Sequence, residues 1–271
     1  MTLRRVACAT AVFVLAVPLL AQQASQQQGQ PQQAGPKPKS QKESDALKKV
    51  LAAQQAKDWD GEIQAINYVL ENFADTDYKP LLLNMAMTAA QQKNDYPQTV
   101  IYGERAIQAD PNNILSTVML AEVIAQHTRE NDLDKEQNLK KAEDYANKGL
   151  DLLKNSTAPP PGVAIPADQW QQSKKDLAAQ AHDALGQVAT LRKNYPQAIE
   201  AYKTALSEAS KPDPATMDRL AKTYVDAKQY DDAIATADKV LAMSEAPPVV
   251  RQFAQQLKDQ ATKLKSAPTK P

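Results

Sequence analysis

Between Ala179 and Met243 one pattern of residues occurs twice, at a fixed offset of 35 residues. Its first copy reads Leu185-Gly186-x-x-Ala189, then Lys193-Asn194-Tyr195-Pro196-Gln197-Ala198-Ile199, then Tyr202 and Ala205. Its second reads Leu220-Ala221-x-x-Tyr224, then Lys228-Gln229-Tyr230-Asp231-Asp232-Ala233-Ile234, then Ala237 and Val240. A period of this size belongs to a stacked array of supersecondary units. Each unit has apolar and small residues at helical spacing, a polar turn before an aromatic, and a second helix with alanine where two helices approach closely. Neither helix can bury its stripe alone, so such a chain folds by stacking neighbours.

The unit extends in both directions. Lys57-Asp58-Trp59-Asp60-Gly61-Glu62-Ile63 repeats the turn, with Glu62 where alanine is usual, and Ile66, Val69, Leu70 and Phe73 follow at helical spacing. Lys93-Asn94-Asp95-Tyr96-Pro97 repeats it again, with Pro97 at a helix start where its missing N–H costs nothing. A third unit keeps Leu120, Ala121 and Ile124 at its start and Ala142, Tyr145, Ala146 and Leu150 at its end. Its polar insertion, His127 to Asn138, either lengthens both helices or makes an exposed loop at the turn edge. Pro159-Pro160-Pro161-Gly162 and Pro166 then interrupt all helix. This stretch reads as a rigid spacer, with Val163 and Ile165 tucked against a groove, or alternatively as a partner-binding arm. A long helix follows from Ala167, with Trp170, Leu177 and Ala181 inward. After Ala246-Pro247-Pro248 a last amphipathic helix turns Val250, Phe253, Leu257 and Leu264 inward and caps the array.

These residues resemble the tetratricopeptide repeat, a helix-turn-helix unit of about 34 residues with small and aromatic residues at set places. The fourth repeat keeps Leu185, Gly186, Ala198, Tyr202 and Ala205, with His182 where the family often has Trp. The fifth keeps Tyr224 and Ala233, with Ala221 for the glycine and Ala237 for the second-helix aromatic. The resemblance implies an all-α fold: a right-handed α-solenoid of about five repeats, near 43–79, 80–113, 114–154, 179–213 and 214–246. The helical domain would run from 43 to 265, with the proline-rich loop at 155–168 and the capping helix at 247–265. It also implies that the first helix of each pair lines an inner groove where partner peptides lie. By position this groove would include Asn84, Thr88, Gln91, Glu122, Gln126, Asp183, Gln187, Asp218 and Lys222. The set is amide-rich and mixed in charge, and lacks the basic cluster that grips a carboxylate terminus.

The ends read differently. Met1 to Ala21 has a basic start, Arg4 and Arg5, an apolar run and a small residue at Ala21, the pattern of a secretory signal peptide. The rival reading is an uncleaved inner-membrane anchor, disfavoured because the run is short against the roughly 20 residues of a spanning helix. Cleavage would remove Cys8, the single cysteine, and with it any thiolate site or disulfide. Residues 22–42, rich in Gln, Pro and Ala, read as a disordered linker, and 266–271 as a frayed tail.

Catalytic chemistry has little to build on. His127 falls in the polar insertion and His182 on a core position, and neither has a second metal-type residue at helical spacing. No phosphate-binding glycine loop and no nucleophile elbow is present. The tyrosines at 96, 102, 195, 202, 224 and 230 fall on packing positions. Lys+Arg and Asp+Glu both number 32, which gives no argument for nucleic acid or an anionic membrane. The sequence therefore predicts an exported bacterial protein, periplasmic, without enzymatic activity, cofactor or metal, that binds a protein or peptide partner. The alternative is a structural or self-associating envelope component acting through the Gln-rich linker and the proline-rich loop.

Overall fold

The computed structural model describes residues 36–160 and 165–266, and among them there are eleven helices and no strand. In chain order these are α1 (Gln41–Gln55), α2 (Trp59–Asn72), α3 (Lys79–Gln92), α4 (Tyr96–Ala109), α5 (Ile114–His127) and α6 (Lys135–Asn155). They continue as α7 (Ala167–Leu191), α8 (Tyr195–Glu208), α9 (Pro214–Asp226), α10 (Tyr230–Ala242) and α11 (Pro248–Ser266). Several starts are fixed by side chains that accept the first free amides: Ser40 from Glu43, Asp58 from Gly61, Asp95 from Gln98, Asn113 from Ser116 and Asp213 from Thr216. Each helix packs on the next, and the odd-numbered inner helices from α3 to α11 also touch each other, so the whole is an α-solenoid.

Four of the five intra-repeat turns have one geometry. Lys57, Asn94, Lys193 and Lys228 have φ between 55° and 62°, the left-handed region. In each, the following amide reaches back five residues: Asp58 to Ala53 (2.9 Å), Asp95 to Ala90 (2.9 Å), Asn194 to Ala189 (2.9 Å) and Gln229 to Tyr224 (2.8 Å). The left-handed residue's own amide bonds three residues back, which completes a Schellman closure. The aromatic that begins α2, α4, α8 and α10, Trp59, Tyr96, Tyr195 or Tyr230, thus follows the same reversal each time.

Alanine sets the helix spacing. Ala106, Ala142, Ala146, Ala198, Ala233 and Ala237 are all fully buried at 0% exposure, which lets paired helices approach closely. The two copies of the sequence pattern solve this packing by different divisions of the same space. A Cβ added at Gly186 would lie 2.5 Å from the ring of Tyr202. One period later the ring is replaced by Ala237, and the glycine position holds the buried Ala221. Glycine with tyrosine and alanine with alanine are alternative fillings of one site.

The structure corrects the sequence reading in several places. The insertion of repeat three combines the two expected outcomes: residues 128–134 form a loop and α6 grows to 21 residues, while α5 keeps 14. That loop and the start of α6 are pinned to the turn of repeat four by Lys193–Glu130 (3.0 Å), Arg192–Glu136 (2.6 Å) and Arg192–Glu143 (2.8 Å). Residues 36–42, read as part of the disordered linker, pack on the fold: the Tyr78 hydroxyl donates to the Pro36 carbonyl (2.6 Å), Lys39 pairs with Asp77 (3.3 Å), and α1 already starts at Gln41. Leu264 does not face inward but is 41% exposed, and Phe253 is half-buried, so the inner stripe of α11 is Val250, Ala254, Leu257 and Ala261. Ser266, placed in the tail, ends α11. Glu62, at the usual alanine position, is buried, and burial pushes its carboxyl up to about 7. Ile165 packs on the core and Lys174 donates to the Ser156 carbonyl (2.6 Å), which ties the described part of the proline-rich loop to α7. The leader at 1–21, the linker up to residue 35, Val163 and residues 267–271 lie outside the described residues.

Two stability outcomes follow from these contacts. Gly186→Ala is expected to cost about 1–3 kcal/mol in urea unfolding, and Tyr202→Ala in the same chain to recover part of that cost. Strictly additive losses would contradict the shared-site packing. Lys228→Gly, at a left-handed position, is expected to raise stability by about 0.5–1 kcal/mol, read as a higher urea midpoint.

Candidate partner-binding groove

The inner face is built from α3, α5, α7 and α9, and polar residues four positions apart are bonded on each of them, side chain to side chain on α5, α7 and α9. On α3 the Thr88 hydroxyl donates to the Asn84 carbonyl (3.0 Å). On α5 the Gln126 amide donates to Glu122 (2.8 Å), and on α7 the Gln187 amide donates to Asp183 (2.7 Å). On α9 Lys222 pairs with Asp226 (2.7 Å). The arrangement places a row of amides and one ammonium along consecutive helices.

Depth divides the nine groove positions named from the sequence. Gln126 and Lys222 are exposed, and Asn84, Thr88, Gln91 and Gln187 are half-buried. Glu122, Asp183 and Asp218 are buried and lie beneath the face instead of on it. Asp183 is the centre of this buried layer. Its carboxylate accepts from Gln187, from the Thr216 hydroxyl (2.8 Å) and from the Arg219 fork through Nε (3.2 Å) and Nη2 (3.0 Å). Thr216 shares its hydroxyl with Asp213 (2.9 Å) as well, so one donor serves two carboxylates. Arg219, Thr216, Asp213 and Ser116 were not singled out from the sequence. The four-residue motifs Asn113-x-x-Ser116 and Asp213-x-x-Thr216, a cap followed by a hydroxyl on the third helical residue, were the available signal.

Both histidines contact side chains of neighbouring elements. His127 stacks on Tyr96 with ring centroids 3.9 Å apart, which adds a contact to the solvated position expected of it. His182 Nε2 lies 3.5 Å from Glu208 across the α7–α8 pair. Tyr102, Tyr202 and Tyr224 are buried packing residues, and among the described residues no cluster of three potential metal ligands occurs.

A family model described as tetratricopeptide repeat matches residues 189–257, the second half of repeat four through most of the cap. Among solved structures, a thermophilic TPR protein of Thermus thermophilus superposes with a TM-score of 0.53 at 15% identity, over 79% of this chain and 98% of that one. Residues 189–257 are a tetratricopeptide repeat segment, and the described helices as a whole share the fold of a TPR protein. A second TPR structure, from Parabacteroides merdae, covers 84% of this chain and 93% of its own at 16% identity, with a TM-score of 0.43. A search of curated protein sequences finds no match.

The inner helices carry three buried acids below the groove, Glu122, Asp183 and Asp218. Burial pushes the Glu122 carboxyl up to about 7; Asp183 and Asp213 add to the shift, while Arg219 and the Gln126 amide oppose it. An unfolded glutamate releases its proton near 4.5, so between that value and about 7 the folded TPR array binds a proton that the unfolded chain does not. Stability from this site therefore falls as pH rises through the window and is lowest above it. Glu122→Gln is expected to stabilise the protein at pH 8 by up to about 3 kcal/mol and to leave it nearly unchanged at pH 4. Urea unfolding at the two pH values reads the difference, and an equal effect at both would refute the assignment.

Proposed function

We propose that this chain is a non-catalytic scaffold that binds a protein or peptide partner along the inner-helix face of its TPR array, after export to the bacterial periplasm. The observation that supports the reading is the row of side-chain pairs on α5, α7 and α9, Glu122 with Gln126, Asp183 with Gln187 and Lys222 with Asp226. Gln126 and Gln187 are each held by the carboxylate four residues before them, so their remaining donor and acceptor atoms are presented with little rotamer freedom left to lose. An extended partner backbone, with a carbonyl and an amide at every residue, is the complement of such amides. Export rests on Arg4, Arg5 and the apolar run before Ala21.

Asp183 and Asp218 are unsuited to charge-reversal tests, because a lysine at either site would be buried. Gln126 and Lys222 are exposed and serve instead. A photo-crosslinking residue at 126 or 222 is expected to capture one specific envelope protein, and one at Ile101, exposed on the outer helix α4, is expected not to. The double substitution Gln126→Lys with Lys222→Glu is expected to weaken that capture by about tenfold or more at unchanged helicity. Capture from position 101 alone would move the binding surface to the outer helices.

A further inference from the structure

A hydrogen bond of one kind recurs at three junctions between inner helices, α1 with the loop before α3, α3 with α5, and α7 with α9, and at the last junction, α9 with α11, it is incomplete. Thr76 donates to Glu43 (2.6 Å), Ser116 to Asn84, and Thr216 to Asp183 (2.8 Å), each donor standing 32 or 33 residues after its acceptor. Ser116 and Thr216 are the third residues of α5 and α9, and the caps Asn113 and Asp213 hold their amides. On α11 the third residue is Val250, preceded by Pro247 in place of an Asn or Asp cap. Val250 follows Asp218, the acceptor of α9, at the same 32-residue step as Ser116 follows Asn84. The acceptor is retained, and the donor is absent.

Asp218 is only 4% exposed, and its Oδ1 has no hydrogen-bond partner among the described residues. Its charged surroundings do little to compensate it. On α9 itself, Arg219 is turned to Asp183 of α7, Lys222 is paired with Asp226, and Asp213 has the same sign. On α11, Arg251 is the one charged residue of the first two turns and makes no ion pair with Asp218, while Lys258 is paired with Asp238 of α10. An ionised Asp218 here would be a buried charge lacking one of its donors, which strongly disfavours the closed junction; a protonated one avoids the charge.

We propose that α11 is a proton-gated cap, seated on α9 while Asp218 is protonated and loosened when Asp218 ionises. Loosening uncovers the inner-helix stripe of repeat five, Leu220, Ala221 and Val225, together with Leu257 and Ala261 of α11, and leaves one helix-wide slot at the C-terminal end. Burial pushes the Asp218 carboxyl from 3.8 to about 7; Arg219 opposes the shift and Asp213 adds to it. The closed junction thus holds a proton that the open one releases, and closure weakens as pH rises across that window, being weakest above it.

Hydrogen–deuterium exchange of the full chain at pH 5.5 and pH 8, corrected for intrinsic rates, tests this. Protection of the α11 amides is expected to fall by about tenfold or more at pH 8 relative to that of α3. Asp218→Asn, which cannot ionise, and Val250→Thr, which supplies the missing hydroxyl, are each expected to abolish most of that fall. Absence of the fall in the wild-type chain, or its persistence undiminished in Val250→Thr, overturns the proposal. The Val250→Thr arm keeps the test decisive even where Asp218→Asn folds poorly.

Discussion

A helix of 14 residues with one apolar stripe has nowhere to hide that stripe except against another such helix, and a pair of them still leaves one side open. This constraint governs the whole molecule. Ala106, Ala198 and Ala233 allow the two helices of a pair to close, and the next inner helix covers what remains. The reversal between paired helices has to be sharp and reproducible for the stack to continue in register. It is produced four times by the same left-handed residue and the same backward amide bond, with lysine three times and asparagine once at a place where glycine would fit without strain.

The apolar contacts between inner helices are permissive about sliding, because Leu, Ala and Val surfaces fit in more than one offset. The buried hydroxyl-to-acceptor bonds are not. Each of Glu43, Asn84 and Asp183 finds its donor at one separation only, and a slip by a turn would leave a polar atom buried and unpaired at a cost of about 1–3 kcal/mol. Polar groups in an otherwise apolar seam thereby select one stacking offset among several that hydrophobic burial alone would accept. The Asp183–Arg219–Thr216 set extends this to repeat five, and Glu122 beside it keeps its proton to higher pH than an exposed glutamate because burial disfavours its charge.

Much of this fold could be read from the sequence because its information is periodic. The turn residues Lys193 to Ile199 and Lys228 to Ile234 announced both the helix boundaries and the unit, and Pro97 and Pro196 marked helix starts. What escaped was aperiodic or three-dimensional. A periodic pattern names the side of a helix but not its depth, so Asp183 and Asp218 could be assigned to the inner face and still lie beneath its surface. Arg219 was invisible because its partner is 36 residues away and on no shared face of one helix. Leu264 was misplaced because the stripe of a terminal helix is covered on one flank only, and a leucine at its edge looks like one at its centre. The packing of Pro36 and Lys39 depends on Tyr78 and Asp77, a contact that linker composition cannot signal.

The apolar interior is divided into unequal parts. One cluster runs unbroken from Ala46 of α1 to Val188 of α7, and separate clusters, starting with Ala189, serve the last helices. Helix α7 belongs to both sides of that seam, and its 25 residues make a rod of about 37 Å. Among the described residues α7 is the one helix whose apolar residues enter both the long cluster and the first of the short ones, so the two parts of the core meet along a single rod.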